Sequence, residues 1–338
     1  MPLPLIVAGV AIAAGATGIV TGAKGTKKIA NAKNRVKQAD ETYQAAKEKL
    51  EGKELTTNIS LDKLGSLKVQ IWKDFDRFSI AFEKIQNRPE FETSVNDKLT
   101  LPKHALHEIQ EIQVKAVEIL GTTVASAGAG ALTGMATYSG VLALGTASTG
   151  TSISTLSGAV ATKSALAALG GGSLASGGGG VALGTQILGG AVAGPVIAVG
   201  GLLLNAKGNS SLGKAEKAEQ EVDKIVKTID RSCKYMTRLA NLSFNLRKEL
   251  IATQEVYLNQ VGLLEELVVN KTDYNDYALE EKVIVDNNIK MVGILYKLST
   301  QSLLRQASTE NEQPKLLEDD VKQLIGNVKS ERLLIESV

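Results

Sequence analysis

The sequence predicts an all-α protein, an elongated helical bundle or coiled coil with an inserted apolar, glycine-rich helical-hairpin region. Three observations predict it. Apolar residues recur at alternating intervals of three and four on both sides of the chain's middle. The middle itself, residues 119–206, carries a single charge, Lys163. Strand signals are almost absent outside that block, although Thr146–Val160 is also compatible with β-structure. The 338 residues hold 38 basic and 36 acidic side chains, for a net charge of +2. That balance excludes a protein built to coat nucleic acid. One cysteine, Cys233, excludes an intrachain disulfide.

The chain opens on an uncharged stretch, residues 1–23, long enough to span a bilayer once. It lacks the basic start of a secretory signal, apart from its amine. Six cations follow before the first acid, Asp40: Lys24, Lys27, Lys28, Lys33, Arg35 and Lys37. Such a cluster suits anionic lipid headgroups, each charge adding about 1 kcal/mol near the surface. If the stretch spans, those cations stay on the cytoplasmic side.

Residues 24–118 read as a helical arm. Ile29, Ala32, Val36, Ala39, Tyr43, Ala46 and Leu50 form a heptad stripe, which predicts a packed or coiled helix. Gly52 and the polar run after it predict a break. A second stripe follows through Leu64, Leu67, Ile71, Phe75, Phe78, Phe82 and Ile85, with Trp72 beside it. These rings read as a core face. Pro89 ends the pattern, and Pro102 opens a further helix over 103–120.

The block 119–206 contains two uncharged runs, Ile119–Thr162 and Ser164–Ala206, of 44 and 43 residues. Each is long enough for a helical hairpin across a membrane. The block holds 21 of the 33 glycines. Gly130 and Gly134 are four apart, as are Gly180 and Gly184, and Gly190, Gly194 and Ala198. Ala14, Gly18 and Gly22 repeat the interval. This spacing puts small residues on one helix face, where backbones approach closely in lipid. A flexible linker would not carry Val192, Val196, Ile197, Val199, Leu202, Leu203 and Leu204. The eleven Val, Ile and Leu residues of Val181–Ala206 favour insertion by about 3–7 kcal/mol, before the penalties of Gly, Pro195 and polar groups. Gly170–Gly180 reads as a turn or hinge. Insertion is therefore marginal, which suits a segment sheltered in a soluble form and released later.

Residues 207–307 form the second arm. Ser211–Asn270 reads as helix through Val222, Val226, Ile229, Cys233, Met236 and Ala240, then through Leu246, Leu250, Tyr257, Val261, Leu264 and Val268. The stripe shifts between the two, so the stretch is either one continuous helix about 90 Å long or a helix broken near Asn241–Asn245. Asn270–Asp276 is a turn, and a further helix includes Val285, Ile289, Val292 and Tyr296. Residues 308–338 comprise a linker, Ser308–Pro314, and a helix over Lys315–Ser337 with Leu317, Val321, Leu324 and Val328 on one side.

No catalytic constellation is legible, so an enzyme is not expected, and neither is a cofactor. His104 and His107 lie three apart beside Glu108 and Glu111, but no further His or Cys completes a zinc set. The two histidines read as a solvated face, with a pH switch as the sharper alternative. Cys233 falls on an apolar stripe and reads as packed. Residues 22–27 and 127–134 each miss a phosphate-binding glycine spacing.

The stretch Gly145–Gly190 resembles a glycine-rich block that recurs in uncharacterised bacterial proteins, which implies a bacterial source. The layout as a whole is similar to α-helical pore-forming toxins of the cytolysin A and haemolysin BL type, and to apolipoprotein L proteins. In those toxins an apolar head is inserted between long bundle helices. The likeness is one of architecture, so it assigns no residue roles. The expectation is a bilayer-inserting homo-oligomer that permeabilises membranes, associated with the cytoplasmic face of a bacterial membrane and soluble before insertion. The competing expectations are a membrane-anchored scaffold whose coiled arms bind a protein partner, and a bundle that packs its glycine block internally.

Overall fold

The computed structural model describes residues 23–88, 211–305 and 314–337; in the first two stretches side chains are described from residues 31 (Lys33 excepted) and 215 onward. Helix α1 spans Ala23–Glu83, α2 spans Ser211–Asn270, α3 spans Leu279–Thr300 and α4 spans Glu318–Glu336. A 3-10 turn at Tyr274–Asp276 separates α2 from α3. Two short strands, β1 (Leu304–Arg305) and β2 (Lys315–Leu316), pair antiparallel before α4. Helix accounts for 88% of the described residues, which makes the fold all-α.

Helices α1 and α2 run parallel. Arg35 meets Glu216, Lys49 meets Asp230, Ser60 meets Ser243 and Asp74 meets Gln254. The offset between partners stays at 180 to 183 residues through these four pairs. A short turn joins antiparallel helices only. A parallel pair therefore needs a long return connection, and residues 84–210 are that connection.

The chain divides into two compact units, and each takes part of α1 and part of α2. The first is Met1–Thr57 with Val192–Arg238; the second is Asn58–Ala191 with Leu239–Val338. In the first unit the α1 seam buries Ala32, Ala39, Tyr43, Ala46 and Leu50, the heptad stripe read from the sequence. Val36 is half-buried, and Ile29 lies outside the described side chains. The α2 seam buries Ala215, Val222, Ile225, Ile229, Cys233 and Met236. Ile225 takes the place expected for Val226, which is half-buried.

In the second unit the seam is larger. Leu61, Leu64, Ile71, Trp72, Phe75, Phe78 and Phe82 of α1 and Ile85 just past its end are buried, as are Leu246, Leu250, Tyr257, Val261 and Leu264 of α2. Phe75 meets Tyr257 edge to face at 6.0 Å, and Phe78 stacks on Phe82 at 5.0 Å. Helix α3 buries Val285, Ile289, Val292 and Tyr296, the four residues its pattern singled out. It packs on α4, which buries Val321, Val328 and Ile335.

Three sequence expectations are corrected, and one open alternative, the continuity of α2, is settled. Helix α1 runs unbroken through Gly52 and the polar residues after it. Thr57 holds the seam there, its hydroxyl donating to Met236 O at 3.4 Å, and Thr56 back-bonds to Gly52 O at 3.0 Å. Helix α2 runs unbroken through Asn241–Asn245. Leu239, Leu242 and Ser243 are buried in that stretch, so the stripe shifts without a break, and Ala240 is only half-buried. Lys68 occupies the seam position next to the expected Leu67, which is half-buried. Lys315–Leu316 is strand, so the last helix starts at Glu318. A strand pair places Leu303 and Leu304 in the core, with Leu317 N donating to Leu303 O at 2.9 Å.

The ends of α1 and α2 are tied together. Gln86 N donates to Thr272 O at 2.7 Å and Tyr274 N donates to Gln86 O at 3.0 Å. Asn87 sits at φ 53°, a left-handed conformation that asparagine tolerates. Its amide donates to both Asp273 carboxylate oxygens at 3.0 and 3.1 Å.

Candidate functional site

The functional residues read from the sequence fall in two places. Gly130, Gly134, Gly180, Gly184, Gly190, Gly194, Pro195, Val196, Ile197, Val199, Leu202, Leu203 and Leu204 lie outside the described residues, as do His104 and His107. Lys24, Lys27, Lys28, Lys33, Arg35 and Lys37 lie in the first turns of α1. Of these six side chains, Arg35 and Lys37 are described. Arg35 reaches across to α2, Nη1 at 3.1 Å from Glu216 and Nη2 at 2.9 Å from Glu219. Lys37 pairs with Glu41 one turn on and remains 76% exposed, so it is open to solvent.

The starts of α1 and α2 are thus adjacent. The register at Arg35–Glu216 puts Ser211 opposite the second or third turn of α1. The uncharged residues 1–22 run directly into α1, and the uncharged run that ends at Ala206 leads into α2 after four intervening residues. Both apolar stretches therefore join their helices at the same end of one parallel pair. Periodicity read from sequence carries no direction, so this relationship was not legible there.

Below that end, the first unit is held by small apolar side chains and exposed ion pairs. Lys49 Nζ lies 2.7 Å from Asp230 Oδ1. The hydrogen bond between them raises the lysine pKa and lowers that of the aspartate. Burial pushes the Cys233 thiol up, which suits the packed role read from its stripe. Burial also raises the Glu54 carboxyl, aided by Glu51. A shallow surface groove of roughly 550 Å³ runs beside Ala39, Thr42, Ala45, Glu219, Val222 and Asp223.

The second unit carries polar groups deep in its core. Lys68 is fully buried, and its Nζ donates to Gln301 O, the cap of α3, at 2.7 Å. A cation at a helix C-terminus meets the negative end of the helix dipole. Burial nevertheless lowers the Lys68 pKa to about 7. One turn on, Trp72 Nε1 donates to Ser299 Oγ at 2.7 Å, and Ser299 Oγ donates to Tyr296 O at 3.0 Å. Asp74 accepts from Gln254 Nε2 at 2.7 Å, and its backbone carbonyl accepts from the Tyr257 hydroxyl at 2.8 Å. At the surface of the same unit, Arg77 makes a two-pronged pair with Glu265, which holds that carboxyl below its usual range. Sequence reasoning missed Lys68, because a lysine inside an apolar stripe reads as its solvated edge.

These arrangements join helices; among the described residues no group of three His, Cys, Asp or Glu side chains could hold a metal ion. Among the described residues, too, no helix is long and apolar enough to cross a membrane. No protein-family model matches the chain, and no curated protein or solved structure matches it either.

Proposed function

We propose that the protein inserts into a lipid bilayer and permeabilises it as a homo-oligomer, with α1 and α2 as the arms of its water-exposed bundle. One observation carries the reading: the two apolar stretches, residues 1–22 and the run ending at Ala206, enter helices whose starts lie side by side. Each stretch alone is a marginal insertion candidate, rich in glycine and alanine. Because both join the helix pair at one end, their small residues, Ala14, Gly18 and Gly22 on one and Gly190, Gly194 and Ala198 on the other, would be able to pack against each other in a bilayer. In lipid such close packing is what holds helices together. The cations that follow residue 23 would meet anionic headgroups at that end. The membrane in question is then that of a bacterial cell, approached from the cytoplasm by a form that is soluble beforehand.

The parallel seam of α1 and α2 favours a second reading, a membrane-anchored scaffold whose coiled arms bind a protein partner. One experiment tests both. The purified chain is mixed with phosphatidylcholine–phosphatidylglycerol vesicles loaded with carboxyfluorescein, then floated on a density gradient. Dye release with flotation supports permeabilisation. Flotation without dye release selects the scaffold. A protein that neither floats nor releases dye removes both.

A further inference from the structure

We infer that the fold has a built-in order of opening, in which α1 and α2 part within the first unit while the second unit stays closed. Three observations point to it. The first concerns what each seam buries. Among the described side chains, three of the five buried apolar α1 residues in the first seam are alanines, Ala32, Ala39 and Ala46. The second seam has Trp72, Phe75, Phe78 and Phe82 on the same helix. Burial stabilises in proportion to apolar area, and an alanine contributes one methyl group.

The second observation concerns polar links across the seam. In the first unit Arg35–Glu216, Arg35–Glu219 and Lys49–Asp230 all have side chains more than a third exposed. Exposed pairs contribute little and are screened by salt. One sheltered link, Thr57 to Met236 O, closes the first seam at its lower end. In the second unit Tyr257 to Asp74 crosses the same two helices under shelter beside the exposed Arg77–Glu265 pair, and the sheltered links of Lys68 to Gln301 and Trp72 to Ser299 add a tie from α1 to α3. The third observation is bracing. Helices α3 and α4 add their own buried faces to the second unit, and the end of α1 is stitched to the turn after α2. Regions with few buried apolar groups open locally without global unfolding.

The opening frees the two helix starts from each other. As regulation of membrane insertion it rests on the proposed function; as a property of the fold it does not. The test is hydrogen–deuterium exchange by mass spectrometry on the full chain in lipid-free buffer, so its outcome is separate from the vesicle assay. Peptides covering 32–57 and 215–236 are expected to exchange at least about tenfold faster than those covering 61–85 and 242–268. Equal protection in the two sets, or greater protection in the first, overturns the inference. The Arg35→Gln, Lys49→Gln double variant is expected to speed exchange several-fold in the first set alone. Acceleration of both sets together would show one cooperative unit and overturn it as well.

Discussion

Arg332 of α4 places Nε 3.1 Å from Glu249 Oε1 of α2, and only about a tenth of either side chain is exposed. The same guanidinium holds Glu336 through Nη1 at 2.6 Å. This pair ties α4 to α2 where little water reaches. Arg332→Ala leaves the Glu249 carboxylate buried and alone, a change that costs about 3–5 kcal/mol. Arg332→Met with Glu249→Leu removes both charges and recovers most of that loss. Urea unfolding followed by tryptophan fluorescence measures the difference. A single variant as stable as the parent would show the pair to be idle.

Lys68 gives a pH dependence whose sign is fixed by its burial. Its pKa is lowered from 10.5 to about 7 in the folded chain. Between those values the unfolded chain binds more protons than the folded one, so stability rises with pH. Below about pH 7 both states are protonated and the full desolvation cost is present. The parent is therefore expected to gain on Lys68→Met as pH rises from 7 to 10, with a slope up to about 1.4 kcal/mol per pH unit. A stability difference between the two that stays flat over that range contradicts it.

Trp72 is the chain's one tryptophan, and it lies in the second unit. Its emission reports that unit, whereas far-ultraviolet circular dichroism reports helix in both. In a urea titration part of the helical signal is expected to fall before Trp72 emission shifts to the red. Coincident curves would speak for a single transition.

Gly52 and Gly262 sit in the interiors of α1 and α2, with open space where a Cβ would stand. Alanine at either position adds about 1 kcal/mol of helix stability. Gly52→Ala is expected to raise the early, dichroism-detected step, and Gly262→Ala the later, Trp72-detected one. Both variants shifting the same step by the same amount would contradict two units.

Tyr257 fills the second seam with its ring against Phe75 and its hydroxyl on Asp74 O. Burial pushes the phenol pKa far above its ordinary value. Tyr257→Phe keeps the ring and removes one hydrogen bond to a carbonyl that also accepts within α1, so a loss of about 1 kcal/mol is expected in urea unfolding. Tyr257→Ala also removes the ring, with a loss of about 3–5 kcal/mol.

Much of this fold is legible in the sequence, for a physical reason. Ile29 to Leu50 and Val285 to Tyr296 keep the helical interval without interruption, and a seam that buries one face must leave that mark. The bounds of α2, Ser211 and Asn270, are marked by the polar NKTDYND run at one end and the charge-rich segment at the other. The misreadings come from residues acting against their usual statistics. Gly52 stays helical because Thr57 and Leu50 hold the seam on either side. Lys68 goes inside because a helix end there offers it a carbonyl. The direction of α1 relative to α2 left no trace in either stripe, and the closeness of their starts follows from direction alone. The cations beyond residue 23 were legible as a cluster, but the turn of Arg35 toward Glu216 and Glu219 was not, since its acids lie 181 and 184 residues away.

The offset of about 180 residues between partners also sets a schedule for synthesis. At roughly 5–20 residues per second, α1 leaves the ribosome about 10–35 seconds before the stretch of α2 that covers it. During that interval Trp72, Phe75, Phe78 and Phe82 face water on a nascent chain, with the glycine-rich block emerging behind them. A helical protein with such distant pairings forgoes the speed that local contacts give most helical bundles. Its newborn chain is a natural client for whatever shelters apolar surface in the cell, chaperone or lipid.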